Sequence, residues 1–251
     1  MIELHDVRKV FRDPHGGEVA AVDGVDLNVR EGETVCLIGP SGCGKTTTMK
    51  LVNRLLEPTG GKILVGGTDV TEQDVIRLRR RIGYVIQKGG LFPHMTVGRN
   101  VGLLCDLEGW ERTRTQQRVD ELLKLVNLPP EQYAHRYPNE LSGGQRQRVG
   151  VARALSLDPD YILMDEPFGA LDPITREQIH AEFQQLKATV HKTIIMVTHD
   201  MNEAFKLGDR IALMDKGKIV QLGGASDFRE RPANEFVRRF LRNHINGDSD
   251  A

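Results

Sequence analysis

The sequence predicts an α/β fold: a mostly parallel sheet covered on both faces, with an N-terminal antiparallel β subdomain and an inserted α-helical subdomain. Three observations predict it. Short apolar runs recur at Thr34–Ile38, Tyr161–Asp165, Thr193–Thr198 and Arg210–Met214, each the length of one buried strand. Segments of helical period alternate with those runs, which is the order that builds a parallel sheet. From about residue 91 to 157 the pattern turns mainly helical, and this stretch is the insert.

The elements follow in chain order. Residues 1–35 carry short apolar runs, and Gly16–Gly17 reads as the turn of a hairpin. Thr34–Ile38 is a buried strand that ends in glycine-rich Gly39–Gly44. Lys45–Leu56 reads as a helix because Met49, Val52, Leu55 and Leu56 fall at helical spacing. Gly60–Asp69, rich in glycine and β-branched residues, predicts a second hairpin. Arg118–Val126 is strongly amphipathic, and Pro129 and Pro130 interrupt the helical pattern after it. One domain is expected over residues 1–245. The core and β subdomain occupy about 1–90 and 158–230, the helical subdomain about 91–157, and a C-terminal helical extension about 231–245. The last six residues, 246–251, are expected to be disordered.

Composition narrows the function classes. Lys and Arg number 34 against 35 Asp and Glu, so no overall basic field argues for a nucleic-acid protein. The cluster Arg77, Arg79, Arg80 and Arg81 reads as a solvated helix face. Cys36, Cys43 and Cys105 are odd in number and form no CxxC pair, which speaks against a disulfide framework or zinc site and for a reducing compartment. The N-terminus carries charges where a signal peptide needs an apolar run. No apolar stretch approaches the roughly 18 residues of a membrane span. A soluble, cytosolic chain is expected.

The segment Gly39-Pro40-Ser41-Gly42-Cys43-Gly44-Lys45-Thr46 fits G-x-x-x-x-G-K-[ST], the P-loop. Glycines let the backbone curl until successive N–H groups face a phosphate, and the following helix adds its positive end. Lys45 can bridge β- and γ-phosphates, and the Thr46 hydroxyl can ligate Mg²⁺. Thr47 continues the loop into the helix, and Cys43 contributes backbone only. The strand Tyr161–Asp165 ends in the acids Asp165 and Glu166. Asp165 is assigned to the metal and Glu166 to the attacking water. ATP and Mg²⁺ are the expected substrate and cofactor on a P-loop NTPase core of RecA-like type.

Leu141-Ser142-Gly143-Gly144-Gln145 lies in the helical insert, directly before a helix. A single-subunit ATP site needs no second anion cradle there, yet this run is suited to bind phosphate. Here the chain resembles the ATP-binding cassette family, whose LSGGQ signature completes the nucleotide site of the opposite subunit. The resemblance covers essentially the whole chain and implies a head-to-tail homodimer enclosing two ATP molecules. It implies that Gln87 is the Q-loop residue touching Mg²⁺, that Asp172 acts across the dimer, and that His199 is the switch histidine on the γ-phosphate. Phe11 resembles the aromatic that stacks on adenine; packing into a core is the alternative for it.

Leu91, Phe92 and Met95 follow the Q-loop, where family members receive a helix of an integral membrane permease; internal packing of the insert is the alternative. With Asn53-Arg54-Leu55 and the run Asp165–Thr175, the wording is similar to bacterial importers of glycine betaine, choline, carnitine and related quaternary amines. That likeness implies a peripheral subunit on the cytoplasmic face of the inner membrane, served indirectly by an external solute-binding protein, with no nucleic-acid partner. Many such relatives append regulatory modules of the CBS type, whereas here only a short helical extension near 233–244 is expected. The competing classes are an importer for another small solute and a soluble member of the family acting in DNA repair or translation. The latter usually carry long coiled-coil arms or two cassettes, and no extended heptad run lies between Gln87 and Leu141.

Overall fold

A computed structural model of the chain describes residues 1–12, 17–87, 90–169 and 171–245. Gly16 of the expected hairpin turn, Gly89, Ala170 and the expected tail 246–251 lie outside the described residues. Along the chain run β1 (Ile2–Arg12), β2 (Glu18–Val29), β3 (Thr34–Ile38), α1 (Lys45–Val52), β4 (Gly60–Val65), β5 (Thr68–Asp69) and α2 (Val75–Arg80). Then come β6 (Ile82–Val85), α3 (Val97–Leu107), α4 (Arg112–Leu125), α5 (Pro130–Tyr133), α6 (Gly143–Ala154), β7 (Tyr161–Asp165) and α7 (Pro173–Val190). The chain closes with β8 (Thr193–Val197), α8 (Met201–Leu207), β9 (Arg210–Asp215), β10 (Lys218–Gly223), α9 (Ala225–Glu230) and α10 (Glu235–Ile245). These elements form two compact units, residues 1–78 with 193–251, and residues 79–192.

In the first unit, β3 pairs in parallel with β8 on one side and β9 on the other, and β10 adds antiparallel to β9. Val35, Cys36, Leu37 and Ile38 are all buried. A central parallel strand is covered on both faces, so it reads as a continuous apolar run, and each such side chain contributes roughly 1.5–3 kcal/mol. Its polar start is anchored: the Thr34 N–H donates to Asp209 Oδ2 at 2.8 Å. A separate antiparallel sheet has the order β2-β1-β4-β5. There Ile2, Leu4 and Val7 of β1 point inward against Ile63 and Val65 of β4.

Helix α1 stops at Val52, four residues short of the expected Leu56. Asn53 is its C-cap, and Arg54 turns left-handed at φ 48°. Arg54 Nη1 then donates to the carbonyls of Val70 and Gln73, at 3.2 and 2.9 Å, which holds the turn. Leu55, expected on the buried face, is exposed.

In the second unit, β6 and β7 pair in parallel from Ile82↔Tyr161 to Val85↔Met164. Helices α3, α4 and α6 share a core that includes Val97, Val101, Cys105, Val119, Leu122, Leu123, Val149 and Ala152, all buried. The C-terminal end of α6 is closed by α4: Arg118 Nη2 donates to Leu155 O at 2.9 Å, and its Nε to Ser156 O at 3.2 Å. A guanidinium there satisfies carbonyls that the helix leaves over. No helix among the described residues is long and apolar enough to cross a membrane.

Candidate functional site

The first unit carries the phosphate loop between β3 and α1. Gly39 has φ 141° and Gly44 φ 105°, regions that L side chains rarely adopt. A Cβ on Gly39 would lie 2.1 Å from Met214 O, and one on Gly44 would lie 2.3 Å from Ala21 O. Only glycine lets the loop pass this close to its neighbours. Gly44 is also the N-cap of α1, and with no side chain it offers the first turn no side-chain cap. A helix start left this way favours an anion. Lys45 is buried, and its Nζ donates to Gly39 O at 2.7 Å and Pro40 O at 3.0 Å. An ammonium held by neutral carbonyls gains when a polyphosphate replaces them, because a charged acceptor binds it about twice as strongly. Thr46 and Thr47 are half-buried, and Ser41 and Gly42 are exposed. Burial raises the Cys43 thiol above its ordinary value, against a smaller opposing effect of Lys45, so it stays protonated at neutral pH.

His199, also in the first unit, is exposed on the turn between β8 and α8. Thr198 Oγ1 accepts from the Asp200 N–H at 3.0 Å, and Asp200 Oδ1 accepts from the N–H groups of Asn202 and Glu203. These bonds fix the backbone on both sides of the imidazole. Phe11 lies near the end of β1 and is 40% exposed, with Lys9 Nζ 5.2 Å from its ring centre. Its ring is a surface group in β1, so the core-packing alternative is not realised.

The second unit carries the acids. Strand β7 is buried from Tyr161 to Met164 and surfaces at Asp165. Glu166 follows with φ 44°, a left-handed conformation that costs a non-glycine residue roughly 1–2 kcal/mol. The carboxyl end of a buried parallel strand is where folds of this class place ligand-binding residues. Gln87 Nε2 donates to Glu166 Oε2 at 2.6 Å, so the two residues that sequence reasoning selected separately are in contact. Tyr84 was not expected at the site. It pairs with Leu163, so it shares a face of the sheet with Asp165 two residues further on. Its phenol is pushed up to about 12, first by burial and then by the Asp165 charge. Among the described residues no group of three His, Cys, Asp or Glu side chains could hold a metal alone.

The run Leu141–Gln145 builds the start of α6. Leu141 is buried, and Ser142 is the N-cap. Ser142 Oγ accepts from the Gln145 N–H at 3.2 Å, while Gln145 Oε1 accepts from the Ser142 N–H at 2.9 Å. This reciprocal capping box gives Ser142 a local structural role besides the expected anion-binding one. Ser142 remains exposed and Gly143 half-buried. Gly144 faces α7: a Cβ there would lie 2.9 Å from both Ile179 Cδ1 and Thr175 Cγ2. Asp172 caps α7, accepting from the Thr175 N–H at 3.0 Å, and that bond holds its carboxyl below the ordinary value.

The segment after Gln87 is organised by a residue with no motif. Asn100 is fully buried in α3, accepts from the Phe92 N–H at 2.8 Å, and donates to the carbonyls of Phe92, Met95 and Thr96. Phe92 is exposed, while Leu91 and Met95 are half-buried. An asparagine on the Val97–Val101–Cys105 face of a predicted helix is the signal that could have found it.

A glycine loop around a buried lysine, two acids at a strand end and a capped LSGGQ run are parts of an ATP-binding cassette. The profile of the family described as ABC transporter matches residues 22–169, and the chain belongs to that family. It is 54% identical over 241 residues to the glycine betaine/carnitine/choline transport ATP-binding protein OpuCA of Bacillus subtilis (strain 168). That match covers 96% of this chain and 62% of OpuCA, so the chain spans less than two thirds of that relative. Against the glycine betaine uptake system ATP-binding protein YehX of Escherichia coli (strain K12) it is 47% identical, over 96% of this chain and 76% of YehX. Among solved structures, the dimeric post-hydrolysis state of the ATP-binding cassette MJ0796 bound to ADP and Pi is similar at 35% identity and a TM-score of 0.80. The match covers 89% of this chain and 98% of that one.

Proposed function

We propose that the chain is the ATP-hydrolysing subunit of a bacterial importer for glycine betaine, choline or carnitine. It works as a head-to-tail homodimer in which each ATP lies between the loop Gly39–Thr46 of one copy and Ser142, Gly143 and Gly144 of the other. The observation that carries this reading is the Gln87-held, strained Glu166, a positioned carboxylate, on a chain that also holds a buried Lys45 in a glycine loop. The choice of cargo rests on the 54% identity to a relative named for glycine betaine, carnitine and choline transport.

Each residue then has a task. Lys45 leaves the Gly39 and Pro40 carbonyls and bridges the β- and γ-phosphates. Thr46, Asp165 and Gln87 would hold Mg²⁺, which would neutralise phosphate charge there. Glu166 orients a water and accepts its proton as the water oxygen bonds to the γ-phosphorus. The bond from that phosphorus to the bridging oxygen breaks, leaving ADP and phosphate. His199 contacts the γ-phosphate, Asp172 reaches across the dimer, and Phe11 stacks on adenine. ATP binding closes the dimer, and phosphate departure removes the attraction that held it closed.

Leu91, Phe92 and Met95 receive a helix of an integral membrane permease on the cytoplasmic face of the membrane. An external solute-binding protein delivers cargo without touching this chain. The test is to reconstitute the chain with its co-purifying permease and measure ATP-dependent uptake of glycine betaine, choline, carnitine and proline. Uptake of a quaternary amine is the expected result. No uptake of any of them, or hydrolysis stimulated by nucleic acid in place of a permease, would overturn the reading.

A further inference from the structure

Arg153 belongs to the last turn of α6, the helix that begins at the Ser142 cap. Its Nη1 donates to Gly90 O at 2.9 Å, and its guanidinium lies 6.0 Å from the centre of the Phe92 ring. Burial lowers its pKa, which marks a desolvated charge whose bond to a carbonyl is correspondingly strong. The segment 90–96 therefore has two anchors with different consequences. Asn100 fixes its internal shape by bonding to Phe92, Met95 and Thr96. Arg153 ties it to α6.

Helix α6 is braced near both ends. Gly144 packs against Ile179 and Thr175 of α7, and Arg118 of α4 holds the carbonyls of Leu155 and Ser156. At 1.5 Å per residue, Arg153 stands about 17 Å along the helix from Ser142. A regular helix of this length held near both ends shifts as a rod. A displacement at Ser142 is thereby delivered to the half-buried Gly90 and to the exposed Phe92 ring.

We infer that Arg153 is a positioning residue that transmits movement of the Ser142 end of α6 to the segment 90–96, coupling the nucleotide state to whatever docks there. The inference rests on the proposed function for the identity of the docked partner, a permease helix. Arg153 is not among the residues assigned to the nucleotide site, and its loss leaves basal hydrolysis by the chain alone unchanged.

The test has two arms. With the co-purifying permease, Arg153→Met reduces the permease-dependent stimulation of hydrolysis by about two- to thirtyfold, the range for residues that carry coupling between sites. Arg153→Lys, which keeps a cation able to donate to Gly90 O, retains most of the stimulation. Stimulation by Arg153→Met at the unsubstituted ratio would overturn the inference. The second arm needs neither permease nor a change at Arg153. In the Glu166→Gln chain, ATP is added and amide hydrogen exchange is followed over 91–96, with dimer formation measured by size. The expected result is a dimer with altered exchange in that segment. A dimer with unaltered exchange overturns the inference and leaves the proposed function standing. Failure of ATP to form any dimer overturns both.

Discussion

Ser142 has two separable jobs, and substitution can pull them apart. As N-cap of α6 it holds the Gln145 N–H at 3.2 Å, while the reverse bond from its own N–H to Gln145 Oε1 does not need the hydroxyl. Ser142→Ala therefore removes half of the capping box, a loss of about 1 kcal/mol. For a chain of 251 residues that lowers the thermal midpoint by roughly 2–4 °C. Ser142→Asp keeps a side-chain acceptor of equal capping strength, so the midpoint is preserved. In the closed dimer, however, its carboxylate faces the triphosphate of the other copy, and hydrolysis falls by at least about tenfold through like-charge repulsion. Nucleotide affinity of the open monomer is unchanged in both variants, because it depends on the loop Gly39–Thr46. Scanning calorimetry, nucleotide titration and steady-state phosphate release read the three quantities separately. A Ser142→Asp chain as stable and as active as the original would refute the trans assignment. An undiminished midpoint in Ser142→Ala would refute the capping argument.

Three further outcomes are expected. Gly39→Ala forces a Cβ to within 2.1 Å of Met214 O at φ 141°, so stability drops by about 2–4 kcal/mol in denaturant titration and nucleotide binding is lost. Glu166→Gln keeps an oxygen acceptor for Gln87 but no base; phosphate release slows by roughly 10²–10⁴ while an ATP-dependent dimer accumulates on gel filtration. The Tyr84 phenol is held at about 12 in the folded chain, above its ordinary 10.0. The folded state thus binds that proton more tightly, so its contribution is fully present below about pH 10 and is lost as pH rises towards 12. Tyr84→Phe removes this alkaline slope in the pH dependence of chemical denaturation.

The parts read correctly from sequence are those where one physical cause dominates. Strand β3 matches the expected Thr34–Ile38, and β7 the expected Tyr161–Asp165, because a strand buried on both faces must be apolar throughout and ends where a glycine or acid begins. The apolar period runs on through Leu55 and Leu56, so it predicts a longer helix than α1 forms. The positive φ of Arg54 and its bonds to Val70 and Gln73 come from residues distant in sequence, which periodicity does not see. The same holds at the site. Gln87 and Glu166 were each legible, but their 2.6 Å contact joins residues 79 apart. Asn100, Tyr84 and Arg153 belong to no motif; each matters through neighbours that only the fold supplies. Ser142 is legible as an anion-binding residue, and Ser-x-x-Gln states its capping box as directly.

The central claim is that neither copy owns a whole reaction centre, and mixing two crippled chains tests it. Lys45→Ala spoils the phosphate loop, and Ser142→Asp spoils the signature; each homodimer keeps at most about a tenth of the original turnover. Mixed dimers pair the sound loop of one chain with the sound signature of the other. Half of randomly paired dimers then carry one intact site, and about a quarter of the original turnover returns. If the mixture stays as inactive as its parts, or if either homodimer hydrolyses ATP at the original rate, the shared site does not exist.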